Sequence, residues 1–341
     1  MRADHFINRT MPRSVQREDE KNSSDVLLRD FSENQKDEFL LSSLPYQKIK
    51  NYQNLEALPH SFETDADVLQ WACAVLSDSP MGANLLSEAA QTGWSLAARD
   101  LDHDGYHLGI SDKIIELGLY NMSPKALGRS THYRYNLICV LAKALRDVWH
   151  EERWGAFETY FKPEAVLLLE RARAADSDCL SILMAWELRS AGHQEIWRHI
   201  LASDDGDMAE VFTNIINRHP SAQYNGMAVA HMFRQWYQDE ARLDAQDHAT
   251  LQDMDDILEE NDKNFGKRKV TAEEFELLSL MPDGTKYLSN LGATVAQDPF
   301  FNGLNDPVNQ THLFQIIYDN KVTYVRDIPF RDAKLARKFH L

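Results

Sequence analysis

Two long helical patterns constrain the fold of this chain more than any other feature of its sequence. From Thr131 to about Trp154, apolar residues recur every three to four positions and form one stripe. That stripe contains Leu137, Val140, Leu141, Ala144, Leu145 and Val148. A second pattern begins at Pro163, a favourable first helical residue, and continues to Ser190, with Gly192 just past its end. We therefore expect a fold built on two packed helices, each burying one face.

Shorter patterns predict the elements around these helices. Thr64 can cap a helix that ends near Ser77, and a second short helix follows Pro80. The runs WSLAARD, GYHLGI and KIIEL each resemble strands, and the turns between them predict a small antiparallel meander over residues 94–117. Capping boxes are predicted at Asp207 with Glu210 and at Thr271 with Glu274. The fold class expected is α+β, mainly helical, with the meander packed on a helical bundle.

Length and composition divide the chain into three parts. At 341 residues it is long enough for about two domains. Residues 1–60 are polar with few periodic apolar positions, so we expect this segment to be mostly disordered. Residues 61–265 are predicted to form the α+β domain. Residues 266–341 mix short helical and strand-like runs, which indicates a C-terminal accessory segment.

The charge balance limits the partners that this chain can have. With 36 basic and 53 acidic residues the formal net charge is −17, which disfavours binding to nucleic acid or to an anionic membrane. A protein or peptide partner remains compatible with this charge, and the sequence does not indicate an oligomeric state. No apolar run of about 18 residues and no secretory signal is present, so we expect a cytoplasmic protein. The cysteines Cys73, Cys139 and Cys179 are widely spaced among apolar residues and are predicted to be reduced core thiols.

The first of the long helices is where a zinc hydrolase of the H-E-x-x-H type would carry its ligands. Such a site needs two histidines one turn apart and a glutamate beside the first. On this helix those places hold Lys143, Ala144 and Asp147, of which only Asp147 can be a metal ligand. Asp147, His150 and Glu151 form an alternative set one turn apart. Against this alternative, Lys143 is expected to pair with Asp147, and His150 and Glu151 to lie near the solvated end.

A second candidate for a metal site is the turn DLDHDG. Asp100, Asp102 and Asp104, closed by Gly105, satisfy the first half of a calcium-binding loop. The second half fails, because Ser111 stands where a bidentate glutamate is required. Since Asp-Gly is also a frequent hairpin turn, the same residues are explained without any ion.

The second long helix carries many charged residues. They are Glu170, Arg171, Arg173, Asp176, Asp178, Glu187 and Arg189. Most are expected to face solvent, but Asp176 and Glu187 lie at the edge of the apolar stripe and need partners such as Arg146 or Arg134. We therefore predict a polar helix-packing cluster that includes Lys143, Arg146 and Glu187; a functional cluster is the alternative.

Several runs together carry a resemblance to a known family. They are GYHLGISDKIIEL, ALGRSTHYRYN, ALRDVWHEERWG, ERARAADSD, AWELR, GDMA and FRQWY. In residues 93–255 the chain resembles an uncharacterised alphaproteobacterial domain family described as metallopeptidase-like. The resemblance implies a zincin-like arrangement, with a small sheet packed on an active-site-type helix, but no demonstrated activity. It also implies that Glu170 and Asp176 are the further ligands available, so the metal candidates are Asp147, Glu170 and Asp176.

Two functions from different classes follow from this reasoning. The one we favour is a metallopeptidase-like fold without a zinc site, which acts as a binding or scaffold module. The other is a metal-dependent hydrolase that uses the set Asp147, Glu170 and Asp176. A calcium-dependent binding protein is a third hypothesis. We expect no cofactor, and zinc or calcium is the alternative.

Overall fold

The structure is a computed structural model that describes residues 38–41, 61–101, 105–259, 265–320, 323–325 and 328–330. The N-terminal segment predicted to be disordered lies outside the described residues except at 38–41. Asp102 and Asp104 of the calcium-like turn also lie outside them, and Asp100 is exposed.

Helices account for most of the described chain, as the sequence predicts. They are α1 (Asp65–Leu76), α2 (Pro80–Gln91), α3 (Pro124–Arg129), α4 (Thr131–Trp154), α5 (Pro163–Ser190), α6 (Gln194–Leu201), α7 (Gly206–Arg218), α8 (Met227–Trp236), α9 (Glu240–Glu259), α10 (Ala272–Leu278), α11 (Gly292–Gln297), α12 (Pro299–Asn302) and α13 (Pro307–Asp319). The strands are β1 (Glu38–Leu40), β2 (Ser95–Arg99), β3 (Tyr106–Gly109), β4 (Ile114–Gly118), β5 (Thr323–Val325) and β6 (Ile328–Phe330). The class α+β, mainly helical, is confirmed.

The larger sheet is mixed, so the predicted antiparallel meander is wrong in its strand order. The order is β1-β2-β4-β3, in which β2 and β4 are parallel and the other neighbours are antiparallel. Burial explains this order. Four of the five residues of β4 are buried, which suits a central strand, whereas burial alternates along β3, as expected at an edge. The β3–β4 hairpin forms as predicted, but β2 pairs with β4 rather than with β3.

The helices α4 and α5 form the centre of the hydrophobic core. Around α4 pack α1, α2, α3, α5, α6, β3 and β4, so this helix is buried on nearly all sides rather than along one stripe. The core extends through α8, α9 and α10 into the C-terminal residues Val295, Phe301 and Ile316. The domain boundary that we expected at residue 265 stays a prediction.

Two of the three helix starts that we predicted from capping residues are confirmed. Thr64 caps α1, and Thr271 with Glu274 forms a capping box at α10. The box predicted at Asp207 with Glu210 is wrong, because α7 already begins at Gly206, which places Asp207 inside its first turn, and the helix has no side-chain cap. Asp207 instead accepts hydrogen bonds from Gln235 and Arg242.

No helix among the described residues combines the length and the apolar composition needed to cross a lipid bilayer.

Candidate functional site: a buried ionic network between α4 and α5

Charged side chains fill the contact between the two central helices. Arg146, Asp147 and His150 on α4 face Arg173, Asp176 and Ser177 on α5, and all six are at most 1% exposed. This burial contradicts our expectation that His150 lies near the solvated end of its helix. The end of α10 and the segment that follows it pack against this part of α4: Arg146 donates hydrogen bonds to the carbonyl oxygens of Leu278 and Leu280.

Asp176 is the centre of one half of the network. Its Oδ2 accepts hydrogen bonds from Arg146 Nε at 2.6 Å and from His150 Nε2 at 2.8 Å. Its Oδ1 accepts from Arg146 Nη2 at 3.2 Å and from the hydroxyl of Tyr287 at 2.7 Å. Burial by itself would raise the pKa of Asp176, but Arg146 and His150 outweigh it and the pKa falls to about 2. Asp176 is therefore a fully hydrogen-bonded carboxylate at neutral pH.

His150 is neutral in this environment. Burial, followed by the positive charge of Arg146, lowers the pKa of His150 to about 4, although Asp176 acts in the opposite direction. The neutral ring donates from Nε2 to Asp176, which leaves Nδ1 as the acceptor nitrogen. Nδ1 is buried and has no partner among the described residues.

Asp147 is the centre of the other half. Its Oδ1 accepts a hydrogen bond from Ser177 Oγ at 2.6 Å, and its Oδ2 accepts from the hydroxyl of Tyr106 on β3. Arg173 lies close by, with its Nε 3.8 Å from Asp147 Oδ1 and its Nη2 donating to the Asp147 carbonyl oxygen. Asp147 thus connects the sheet to both central helices.

Lys143 lies one turn earlier on α4 and is held by two other carboxylates. Its ammonium is 2.9 Å from Asp178 Oδ1 and 2.9 Å from Asp205 Oδ2. Burial would lower the pKa of Lys143, but these two carboxylates raise it, so the side chain stays charged. Lys143 takes its partners from α5 and from the start of α7, and the predicted pairing with Asp147 on the next turn is wrong.

Each of the three carboxylates that we considered as metal ligands has an arginine close to it. Arg146 binds Asp176, and Arg173 lies 3.8 Å from both Asp147 and Glu170. Cations so close would repel a divalent ion. Within the part of the chain that the structure describes, no group of three or more histidine, cysteine, aspartate or glutamate side chains is arranged to hold a metal.

The helix-packing residues are divided between several contacts. Arg146 pairs with Asp176 as we expected. Glu187 instead accepts hydrogen bonds from Ser79 Oγ and from the backbone N–H of Met81, at the start of α2. Arg134 donates to the carbonyl oxygen of Gly128. Glu187 is therefore separate from the network around Asp176.

Four side chains that bind Asp147, Asp176 or Lys143 were missed by sequence reasoning: Tyr106, Ser177, Asp205 and Tyr287. Tyr106 and Tyr287 are separated from their carboxylate partners by 41 and 111 residues. No local pattern marks a hydroxyl that pairs over such a distance.

Comparison with known families finds one family that matches the part of the chain containing this network. A family model described as "Putative metallopeptidase family (DUF6782)" matches residues 85–289, more than half of the chain. The chain belongs to this family. The resemblance seen in the sequence is confirmed, and the matched range includes α4, α5 and the network residues from Tyr106 to Tyr287. No curated protein and no solved structure matches the chain.

The metal that the family description implies does not fit the residues of the network on α4. A zinc peptidase needs neutral imidazoles as ligands and a carboxylate that activates water. At the places on α4 where our sequence-based hypothesis puts these groups, Lys143 carries a positive charge that is bound by two carboxylates, and Ala144 has no ionisable group. Asp147 is hydrogen-bonded to Ser177 and Tyr106. We therefore derive no metal-dependent step from this site.

Proposed function

We propose that this member of the family is a non-catalytic binding or scaffold module. The observation that carries the proposal is the position of Lys143, whose ammonium lies between Asp178 and Asp205 on the helix where a zinc ligand would be needed. A lysine ammonium has no lone pair for a metal. Its charge also opposes the approach of a divalent ion to Asp147, one turn away.

The arginines of the network support the same proposal. Arg146 and Arg173 neutralise the carboxylates of Asp176 and Asp147 inside a contact in which all four side chains are buried. A buried ion pair of this kind fixes the geometry of the packed helices and leaves its carboxylates without a free coordination position. The network then holds the scaffold together rather than binding a substrate.

The partner that we propose is a protein or peptide in the cytosol. The formal charge of −17 favours a basic partner over nucleic acid or an anionic membrane. This part of the proposal rests on the net charge and on the helical scaffold. The test compares how much of a defined basic peptide and of an acidic peptide of equal length the protein captures.

Metal content and peptidase activity test whether the helix binds a catalytic ion. The full-length protein is loaded with zinc, dialysed and analysed by mass spectrometry, beside the variants Asp147→Asn and Glu170→Gln. We expect the three proteins to hold the same amount of zinc and to cleave no casein. Bound zinc that is lost in both variants, together with zinc-dependent cleavage by the parent protein, would overturn the proposal. That result would instead support a hydrolase using Asp147, Glu170 and Asp176.

A further inference from the structure

Two histidines far apart in the sequence lie together on the surface, away from the network between α4 and α5. His132 is in the first turn of α4 and His199 is on α6, and their ring centroids are 5.0 Å apart with 67° between the ring planes. His132 is exposed and His199 is partly exposed, so both can be reached from solvent. Lys143 lies about three turns further along α4, roughly 16 Å from His132.

Both rings have nitrogen atoms that the protein does not use. Among the described residues, the contacts of His132 and His199 are ring contacts with each other and with Tyr133 and Tyr135, and neither imidazole makes a hydrogen bond. Other described histidines differ, since His150, His193 and His312 each contact a carboxylate. A histidine whose nitrogens are accessible and unpaired is suited to act as a ligand.

We propose that His132 and His199 together bind one divalent transition-metal ion, such as Zn²⁺, Cu²⁺ or Ni²⁺. The distance between the rings fits this role. With metal–nitrogen bonds of about 2.0–2.1 Å and tetrahedral angles, two imidazoles on one ion have ring centres about 5 Å apart. The observed separation is 5.0 Å, in an edge-on contact with 67° between the ring planes. Water, or a donor group from a bound partner, completes the coordination.

The protonation state of His199 supports metal binding. Burial and the neighbouring His132 lower the pKa of His199 to about 4, so its ring is neutral near pH 7 and its lone pair is available. The net negative charge of the chain also favours the approach of a cation. Imidazole ligands select transition metals over Mg²⁺ and Ca²⁺, and copper is expected to bind most tightly.

Calorimetric titration of the full-length protein with ZnCl₂, CuCl₂ and NiCl₂ at pH 7.5 tests the site. We expect the variant His132→Ala to lower the affinity for one ion per chain by about tenfold or more, and His199→Gln to do the same. His231→Ala and His248→Ala are matched controls, because these histidines are exposed on α8 and α9. They should leave the affinity unchanged. Because His132 is an exposed residue, His132→Ala should keep the fold, which circular dichroism verifies.

Two results would overturn the metal-site proposal. One is the absence of binding to the parent protein up to about 1 mM of any of the three ions. The other is an affinity that is the same in the parent protein, in His132→Ala and in His199→Gln. For copper, electron paramagnetic resonance should show two nitrogen ligands in the parent protein and fewer in His132→Ala. The proposal is independent of the proposed function, since Asp147→Asn should leave this affinity unchanged.

Discussion

His150 Nε2 lies 2.8 Å from Asp176 Oδ2 in the contact between α4 and α5, and both side chains are fully buried. The histidine is neutral because burial, and then the charge of Arg146, lowers its pKa. The aspartate is ionised because Arg146 and His150 outweigh the effect of burial on its pKa. This pair makes the stability of the fold depend on pH in a way that can be measured.

Acidification should destabilise the protein through His150. Its pKa is near 6.5 in an unfolded chain and about 4 in the folded protein, so the unfolded state binds more protons between these values. The free energy of unfolding should fall by about 2 kcal/mol from pH 6.5 to pH 5 through this residue, whereas Asp176 contributes only at lower pH. Urea unfolding at pH 6.5 and pH 5 measures the loss, which should be smaller in His150→Gln. An equal loss in the variant would show that other groups are responsible.

Tyr287→Phe should destabilise the protein without changing its fold. The hydroxyl of Tyr287 donates a hydrogen bond to Asp176 Oδ1 at 2.7 Å, and its removal takes one donor from a buried carboxylate. The expected loss is about 1–3 kcal/mol, as for other buried hydrogen bonds to a charged group. Tyr224→Phe is the control, since Tyr224 is 75% exposed and its change should have little effect. Equal unfolding midpoints in urea for both variants would contradict the prediction.

Lys143→Met should be strongly destabilising. It leaves Asp178 and Asp205 facing each other without the ammonium that lies 2.9 Å from each, and the expected loss is about 3 kcal/mol. Lys125→Met removes an ion pair with Glu63 whose side chains are 56% and 63% exposed, and should cost less than about 1 kcal/mol. Adding Asp205→Asn to Lys143→Met should recover part of the stability, because it removes the repulsion between the two carboxylates. No recovery in the double variant would show that the loss arises from packing alone.

Lys143→His should create a zinc site. An ion bound about 2 Å beyond the imidazole would lie close to the position of the lysine ammonium, between Asp178 and Asp205. One nitrogen and two oxygen donors suffice for zinc, so zinc should raise the melting temperature of this variant by several degrees. Lys143→Gln should show no such rise. Both variants are compared in the His132→Ala background, so that zinc at His132 does not contribute. An equal rise in melting temperature with zinc in the two variants would contradict the predicted position of the ion between Asp178 and Asp205.

Local features of the sequence predicted the helices well. The predicted bounds of the two long helices coincide with α4 and α5, because Pro163 and Gly192 act on their immediate neighbours and the apolar period is set within each segment. The sheet was harder to predict. The runs for β2, β3 and β4 were found, but whether β2 pairs with β3 or with β4 depends on contacts between segments.

The candidate site was predicted only in part, for the same reason. The position of Asp176 at the edge of the apolar stripe predicted that it needs a cationic partner. That partner is Arg146. The partners of Lys143 could not be predicted from the sequence, since in an isolated helix Lys143 would pair favourably with Asp147 on the next turn. The contact between His132 and His199 likewise joins two helices that are distant in the chain.

The sequence by itself determined the helices and the residue types on them, including the ammonium, the methyl and the single carboxylate at 143, 144 and 147. Helix formation and residue identity depend on the chain within a few positions, which is why they could be read directly. Only the tertiary structure decided which charges became buried and which partners they took. Burial removes water as the alternative partner, so each buried charge must find a counter-charge or a hydrogen-bonding partner wherever packing brings one. That choice is made between segments far apart in the chain.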